Sequence, residues 1–345
     1  MLEGSASSLQ IVSVFIKRTV AYGMKENYTA DVNFLHAIEQ AKLKDNEREA
    51  ARAAGTLDQL PLLHGLPFSA KDQFFIKGTA STLGLLKRAL SVDDVNSPLV
   101  ELLYREGAFN FTKSHCSQFT IPHTESPLYG LGMHPIKKHL TIGGSTGGEA
   151  GLLSTGCTPF GIGTNLGGSV NVPAAWTGIA AMSVTHKRIP PLPFLGPNFG
   201  FNFARMLVNT TVGVMAKYSD DISLVMEAIC HKGSFRRYSE MTPIPFKREE
   251  AESTKKRRYG LWNPEFIKQT PVSRKLVKKA REIMEKAGHE IVEIPPDEQL
   301  KDDIIELVTR VISPAQKLNS LQASMHEPLV ALNNGYTYMP YMSRW

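Results

Sequence analysis

The segment that decides the fold lies between residues 143 and 169. Two glycine-rich stretches make it up, Gly143-Gly144-Ser145-Thr146-Gly147-Gly148-Glu149 and Pro159-Phe160-Gly161-Ile162-Gly163-Thr164-Asn165-Leu166-Gly167-Gly168-Ser169. Ten of the 27 glycines of the chain fall within it. Glycine permits close backbone approach and positive φ, so such a segment is typical of places where main-chain N–H groups point at a ligand or at developing negative charge. The simpler interpretation is a series of tight turns.

Known glycine loops can be compared with this segment letter by letter. A Walker loop needs Gly-Lys-Ser/Thr, which is absent, and the dinucleotide fingerprint fails because Leu166 stands where glycine is required. The stretch from Gly143 to Gly147 does satisfy Gly-x-Ser-x-Gly, the nucleophile elbow in which Ser145 would carry the acyl group. That elbow follows a strand, whereas Lys137-Lys138-His139 precede it here. The pattern therefore disfavours a phosphate loop and leaves the elbow as an alternative.

Length and composition predict an ordinary globular protein. The chain has 345 residues, a formal charge of +6 and 42% hydrophobic residues, which excludes disordered chains and small disulfide scaffolds. The three cysteines are widely spaced, which indicates a reducing compartment and no structural metal. The ten histidines show no metal-binding spacing, and we assign none of them chemistry. The run from Lys255 to Arg258 lies beside glutamates, which favours a solvated linker over a nucleic-acid surface.

Two features bear on localisation. The chain opens without the basic start and apolar run of a secretory signal. Residues 150–185 contain no charged side chain, but Pro159, Pro173 and repeated glycines would leave backbone groups unpaired in lipid. We therefore predict no signal peptide or transmembrane segment in this chain and a cytoplasmic location, with membrane association left open.

Helical and strand patterns alternate along the chain. Leu9, Val12 and Ile16 recur at helical spacing after two serines, and a second helical pattern runs from Phe34 towards Arg52. Further patterns predict a helix ending at Gly107 that feeds a strand, a strand over 259–262, a helix opened by Thr270-Pro271, and a strand over 291–294. This alternation indicates an α/β protein.

The glycine-rich segment resembles the amidase signature. The two stretches quoted above, followed by Pro173-Ala174-Ala175, carry the resemblance. Upstream, Gly65-Leu66-Pro67-Phe68-Ser69-Ala70-Lys71-Asp72 is similar to the lysine segment of that family, and Ser81-Thr82-Leu83-Gly84-Leu85 is similar to its fatty acid amide hydrolase branch. Essentially the whole chain aligns with the family, whose members are usually longer at both ends.

The resemblance implies a catalytic triad and an oxyanion hole. By that resemblance Ser169 is the nucleophile, Ser145 relays the proton from within a cis peptide, and Lys71 is the base. The backbone N–H groups of Leu166, Gly167, Gly168 and Ser169 form the implied oxyanion hole. Asn165 and Asn171 depart from the family, which usually has Asp and Arg there and hence an ion pair.

The resemblance also implies an architecture. The expected fold is α/β with a mixed central β-sheet surrounded by helices, without the C-terminal strands of the family. We predict N-terminal helices over residues 1–60 that pack on the core and an amidase signature domain over residues 61–345, incomplete at its C-terminus.

Several functions follow as hypotheses. The first is hydrolysis of carboxamides, and of fatty acid amides in particular, without a cofactor or metal. The alternative is a catalytically impaired paralogue that acts as a binding or interaction protein. A third hypothesis is the glutamine-amide branch of the family. The predicted partner is a small lipophilic amide and no nucleic acid, while peripheral membrane contact and homodimer formation are left open.

Overall fold

The computed structural model describes five segments of the chain, namely residues 5–120, 123–190, 210–263, 269–295 and 297–307. They fall into two compact units, one containing the described residues up to Phe246 and the other those from Lys247 to residue 307. The boundary between the units lies between Phe246 and Lys247. Each unit is described by itself below.

A six-stranded mixed sheet forms the centre of the first unit. Its strands are β1 Thr29–Val32, β2 Pro67–Lys71, β3 Phe109–Ser114, β6 Phe160–Asn165, β7 Ala180–Ser183 and β8 Thr211–Ala216; a separate small ribbon consists of β4 Glu125–Ser126 and β5 Gly130–Leu131. The order is β1-β3-β2-β6-β8-β7. Strands β3, β2 and β6 run parallel, whereas β1, β8 and β7 pair antiparallel with their neighbours. The predicted α/β fold with a mixed sheet is confirmed.

Seven helices accompany this sheet in the described part of the first unit: α1 Ser8–Arg18, α2 Phe34–Ala54, α3 Pro98–Arg105, α4 Gly147–Ser154, α5 Asn171–Thr177, α6 Ser219–Ile229 and α7 Lys232–Arg237. Ser7 begins α1 with a capping box, because its hydroxyl accepts from the Gln10 amide and the Gln10 side chain accepts from the Ser7 amide. Gly107, at φ +89°, turns the chain after α3 into β3 as predicted.

Three apolar clusters attach these helices to the sheet. Helices α1 and α2 pack on β3 through Val12, Ala37 and Phe111. Helices α3 and α6 belong to the largest cluster, which includes the β2, β6 and β8 side chains of one sheet face. Helices α4 and α5 pack around Met215, whose neighbours along β8 belong to the largest cluster. Because side chains alternate along a strand, α4 and α5 cover the opposite face of the sheet.

The second unit contains a strand-helix-strand arrangement. Strand β9 Arg258–Trp262 pairs in parallel with β10 Glu290–Ile294, and α9 Pro271–Lys286 connects them. The Thr270 hydroxyl accepts from the Ser273 amide and so caps α9, as the Thr-Pro pair predicts. The short α8 Arg248–Ala251 precedes this arrangement and α10 Glu298–Leu307 follows it.

Residues 150–185, which lack charged side chains, do not form one long helix. They contribute to α4, β6, α5 and β7 in turn. Across the described segments, no helix is both long enough and apolar enough to cross a membrane.

Candidate active site

Lys71 is the last residue of β2 and its side chain is fully buried. Its Nζ lies 2.7 Å from the Ser145 hydroxyl and 2.9 Å from the Thr164 hydroxyl. Thr164 belongs to β6, which pairs directly with β2, and Ser145 immediately precedes the turn into α4. The sheet and α4 therefore bring together two of the residues that the sequence predicted, Lys71 and Ser145.

The Thr164 hydroxyl also fixes the direction of its hydrogen bond with Lys71. Thr164 Oγ1 lies 2.6 Å from the side-chain oxygen of Gln73, which can only accept. The single hydroxyl proton of Thr164 is donated there, so Thr164 must accept from the Lys71 amine. Gln73 and Thr164 thus orient Lys71, with one N–H of the amine directed away from Ser145.

The surroundings of Lys71 favour its neutral form. Burial lowers the pKa of the amine below its ordinary 10.5, and the opposing influence of Cys116, Asp72 and Glu149 does not cancel that effect. A charged ammonium has three N–H donors, yet within the described residues Nζ has two hydrogen-bond partners, both of them hydroxyls. A neutral amine instead donates to Thr164 and leaves a lone pair for the Ser145 proton.

Tight backbone packing holds the Ser145 loop. The Gly144–Ser145 peptide bond is cis, as the resemblance implied. A Cβ on Gly148 would lie 2.5 Å from both the backbone nitrogen and the backbone oxygen of His115. Glycine is therefore required at the start of α4 because the His115 backbone passes directly beneath it. The Ser145 side chain is fully buried in this position.

Ser169 lies next to this loop. Its carbonyl oxygen accepts from the Thr146 amide at 3.1 Å, which ties the segment carrying Ser169 to the residue after Ser145. The side chain of Ser169 is half-buried. No hydrogen bond joins the hydroxyls of Ser145 and Ser169 in this structure, although both residues are among those described.

The Asn165 side chain organises the backbone of the predicted oxyanion loop. Its oxygen accepts from the amides of Gly168 at 2.8 Å and Val170 at 3.4 Å. Its nitrogen donates to the Ser183 hydroxyl at 2.9 Å. The Gly168 amide therefore has a partner within the loop already. Gly168 itself has φ +112°, a conformation that side chains rarely adopt.

The other predicted loop residues lie at the open side of this site. Leu166 is half-buried and Gly167 is exposed, with no atom within 4 Å of the place where a Cβ would be. Asn171 begins α5 and is exposed. The two asparagines thus differ in role, since Asn165 holds the loop and Asn171 faces solvent.

Other candidate chemistries find little support in the described residues. Ser145, the elbow serine, has the Lys71 amine rather than a histidine as its hydrogen-bond partner. The segments that the structure describes contain no group of side chains that could hold a metal ion. Cys116 is fully buried, and burial raises the pKa of its thiol to about 12, which makes it a poor nucleophile.

Sequence reasoning missed Gln73, Thr164 and the buried Glu149. The only available signal was position, because Gln73 follows Lys71 by two residues and Thr164 and Glu149 lie inside the two glycine-rich stretches. The sequence around Glu149 gave no sign that it is buried. An acidic residue in the first turn of a helix is ordinarily exposed and interacts favourably with the helix dipole.

Comparisons with known proteins agree with this architecture. The model of the amidase family matches residues 10–329. The chain is 29% identical over 331 residues to the vitamin D3 hydroxylase-associated protein of Gallus gallus, and the alignment covers 94% of this chain and 68% of that protein. It is 30% identical over 256 residues to fatty-acid amide hydrolase 1 of Sus scrofa, and that alignment covers 74% of this chain and 43% of that protein.

A solved structure of fatty acid amide hydrolase has the same fold. It superposes with a TM-score of 0.79 at 23% sequence identity and covers 96% of this chain and 57% of that one. The chain therefore spans about half the length of two of these three relatives and 68% of the avian one. Because the family model matches nearly the whole sequence, the chain belongs to the amidase signature family.

Proposed function

We propose that this chain hydrolyses carboxamides, with Ser169 as the nucleophile, Ser145 as the proton relay and Lys71 as the base. One observation carries the proposal: a fully buried amine, with its pKa lowered by burial, lies 2.7 Å from the Ser145 hydroxyl. A lysine can serve as a base near neutral pH only when its surroundings favour the neutral form.

In the proposed reaction, the Ser169 oxygen attacks the amide carbonyl carbon. The Ser169 proton passes to Ser145, whose own proton passes to the lone pair of Lys71. Collapse of the tetrahedral intermediate breaks the C–N bond, and the proton returns through the same residues to the departing amine. Water then attacks the ester on Ser169 by the same route and releases the free acid.

Backbone amides of residues 166–169 would stabilise the oxyanion. Each donor of this kind contributes about 2.7–4 kcal/mol to the transition state. Gly167, which is exposed and has open space around it, leaves room for a substrate oxygen. The Gly168 amide would have to exchange its bond with Asn165 for one with the substrate, because that amide is already donating.

Fatty acid amides are the proposed substrates. The similarity to the porcine fatty-acid amide hydrolase supports this choice. Large apolar side chains are also exposed near the Ser145 loop. Trp176 is 49% exposed and its ring lies against Gly143, while Ile136 and Leu140 are exposed in the segment that precedes the loop. Such surface suits a lipophilic substrate.

The catalytically impaired paralogue is the second candidate. Two observations favour it, namely the absence of a hydrogen bond between the hydroxyls of Ser145 and Ser169, both described residues, and the engagement of the Gly168 amide by Asn165. In that case the buried Lys71 would be retained for its place in the sheet rather than for chemistry.

Labelling with a fluorophosphonate probe, with the adduct mapped by mass spectrometry, tests the proposal. We expect an adduct on Ser169 that is lost in Ser169→Ala and strongly reduced in Lys71→Ala, but unchanged in the exposed control Lys42→Ala. Release of oleic acid from oleamide, compared with release of ammonia from glutamine, separates the two amide substrates. Absence of an adduct on folded protein would favour the impaired paralogue, and an adduct on Ser145 would favour the elbow.

A further inference from the structure

A threonine outside the glycine-rich segment holds both ends of the Ser145 loop. Thr124 lies just before β4 and is fully buried. Its hydroxyl donates to the carbonyl oxygen of Gly143 at 2.7 Å and accepts from the amide of Gly147 at 3.1 Å. One side chain therefore bridges the residue two positions before Ser145 and the residue two positions after it.

The chemistry of these groups fixes the direction of both hydrogen bonds. A backbone carbonyl oxygen can only accept and a backbone N–H can only donate, so the single hydroxyl proton of Thr124 goes to Gly143 and its oxygen receives the Gly147 proton. The Thr124 amide also donates to the Gly143 carbonyl, at 3.0 Å. Removal of the hydroxyl would therefore leave Gly143 with a donor but would break the bond of the Gly147 amide.

The Gly147 amide is the first of helix α4, where backbone donors lack partners within the helix. Such donors are ordinarily satisfied by the side chain that precedes the helix. Thr146 occupies that position, but its hydroxyl donates to a carbonyl oxygen of β6 instead. Thr124 takes its place for Gly147, and the His115 carbonyl oxygen accepts from the Gly148 amide at 3.1 Å. Residues distant in sequence thus fix the start of α4.

The packing around Thr124 shows how closely it fits the loop. A Cβ on Gly147 would lie 2.1 Å from the Thr124 hydroxyl oxygen and 2.6 Å from the Ile142 side chain, so glycine is required there. The Thr124 carbonyl oxygen accepts from the Gly132 amide at 2.9 Å, just after β5. The small ribbon of β4 and β5 therefore anchors the threonine that supports the loop.

We infer that Thr124 is a positioning residue for the proton relay. Its hydroxyl joins the two ends of the loop, which keeps Ser145 within hydrogen-bond distance of Lys71. The inference rests on the proposed function and extends it to a residue outside the glycine-rich segment. Proton transfer needs a separation of about 2.6–3.2 Å, and the Ser145 oxygen lies 2.7 Å from the amine. A displacement of about 1 Å is enough to cost roughly a hundredfold in rate.

The substitutions Thr124→Ala and Thr124→Ser test this inference as a pair. Both remove the methyl group, so the effect of lost packing is common to them, and only alanine also removes the hydroxyl. We expect Thr124→Ala to lower the labelling rate of Ser169, and kcat for oleamide, by about tenfold to a hundredfold with little change in KM. Thr124→Ser should stay within about threefold of the wild type, because it keeps the bridging hydroxyl. Equal losses in the two variants would overturn the role of the hydroxyl.

Thr79 provides the matched control. It is also buried, and its hydroxyl donates to the carbonyl oxygen of Ile76 at 2.7 Å. Its backbone hydrogen bonds go to Ile76 and Asp93 rather than to the Ser145 loop. Thr79→Ala and Thr79→Ser should therefore be labelled at similar rates. A loss in Thr79→Ala as large as that in Thr124→Ala would show a general sensitivity to buried hydroxyls and would contradict the specific role of Thr124.

Hydrogen exchange of glycine amides, followed by NMR of protein labelled with 15N-glycine, gives a readout that does not depend on catalysis. In Thr124→Ala the Gly147 amide should exchange about tenfold faster than in Thr124→Ser, the scale of one lost hydrogen bond. The Gly148 amide, which donates to His115, should exchange equally in both variants. Unchanged exchange at Gly147, or equal acceleration of both amides, would overturn the local bridge.

The two measurements distinguish failure of this inference from failure of the proposed function. Faster exchange at Gly147 without slower labelling would overturn the positioning role, because the loop would have loosened with no effect on the reaction. If the wild type is not labelled, the proposed function fails and the positioning role with it, while exchange still decides whether Thr124 holds the loop. Thr124→Val, which also lacks the hydroxyl, is compared with the wild type if the alanine variant does not fold.

Discussion

Lys71 and Thr164 are hydrogen bonded through Nζ and Oγ1 at 2.9 Å, across two parallel strands that are neighbours in the sheet. Because Thr164 donates its own proton to Gln73, it can only accept from the lysine. This relationship directs the free lone pair of Lys71 towards Ser145.

Thr164→Val should therefore lower kcat without much effect on KM. Valine keeps the shape and the strand preference of threonine but removes the acceptor, so the amine can rotate out of line. We expect a loss of about tenfold to a hundredfold in kcat, the scale typical of a misplaced catalytic group. Steady-state amide hydrolysis measures it. Thr112→Val, another buried strand threonine, is the control, and an equal loss in that variant would contradict the assigned role.

Asn165→Ala should loosen the segment that carries Ser169. The variant loses the acceptor for the Gly168 amide and the donor to Ser183. Each lost hydrogen bond costs about 0.5–1.5 kcal/mol, and the labelling rate of Ser169 should fall as its backbone becomes less ordered. Asn171→Ala, at the exposed start of α5, should change neither quantity. Equal effects of the two substitutions would show that Asn165 does not hold the loop.

Gly148→Ala should destabilise the protein, whereas Gly167→Ala should not. The new methyl group on residue 148 would lie 2.5 Å from the backbone of His115, and backbone cannot move aside as a side chain can. We expect a loss of about 1–3 kcal/mol in the free energy of unfolding. Gly167 has open space around it, so its alanine variant should stay within about 0.5 kcal/mol of the wild type. Denaturant unfolding of both variants decides the point.

Asp45 should contribute stability at neutral pH that is lost in acid. Its carboxylate accepts from the amides of Ser8 and Leu9 and from Arg48, which joins α1 to α2. Partial burial tends to raise its pKa, but these hydrogen bonds outweigh burial and lower the pKa below its ordinary 3.8. The contribution is therefore present above that value and disappears as pH falls through the lower pKa of the folded state.

Asp45→Asn should accordingly be less stable than the wild type at about pH 7, and the difference should shrink in strong acid. Thermal unfolding over a range of pH measures this, with the exposed Asp94→Asn as the control. A difference that grows as pH falls would contradict the assignment. The same experiment bears on the predicted N-terminal helices over residues 1–60, whose boundary with the core stays a prediction.

Regular patterns made much of the fold predictable. The capping serine and the helical spacing before Ile16 located α1, and the Thr270-Pro271 pair located the start of α9. These features depend on neighbours in the sequence, so local physical chemistry is enough to recognise them. The placement of Lys71 and Ser145 in one site came instead from the resemblance to a family, because no local rule brings them together.

Thr164 and Glu149, the buried neighbours of Lys71, could not be predicted from the sequence, and the reason is physical. The contact between Lys71 and Thr164 depends on the register between β2 and β6, which Ser69 and Gly161 fix across a long stretch of sequence. Glutamate is almost never fully buried unless it is paired, so Glu149 offered no local sign of its environment. It becomes buried because Gly161 leaves space for its carboxyl against the sheet.

The parallel pairing of β2 with β6 also determines when the site can form. In sequence, α3, β3, β4, β5 and α4 lie between the two strands, so their contact closes a long loop and belongs to the slow, non-local part of folding. No short fragment of the chain contains both Lys71 and Thr164. During refolding, the recovery of Ser169 reactivity would therefore follow the completion of the central sheet, while helical signals would return earlier. Under the proposed function, labelling of Ser169 during refolding would therefore report when the central sheet is complete.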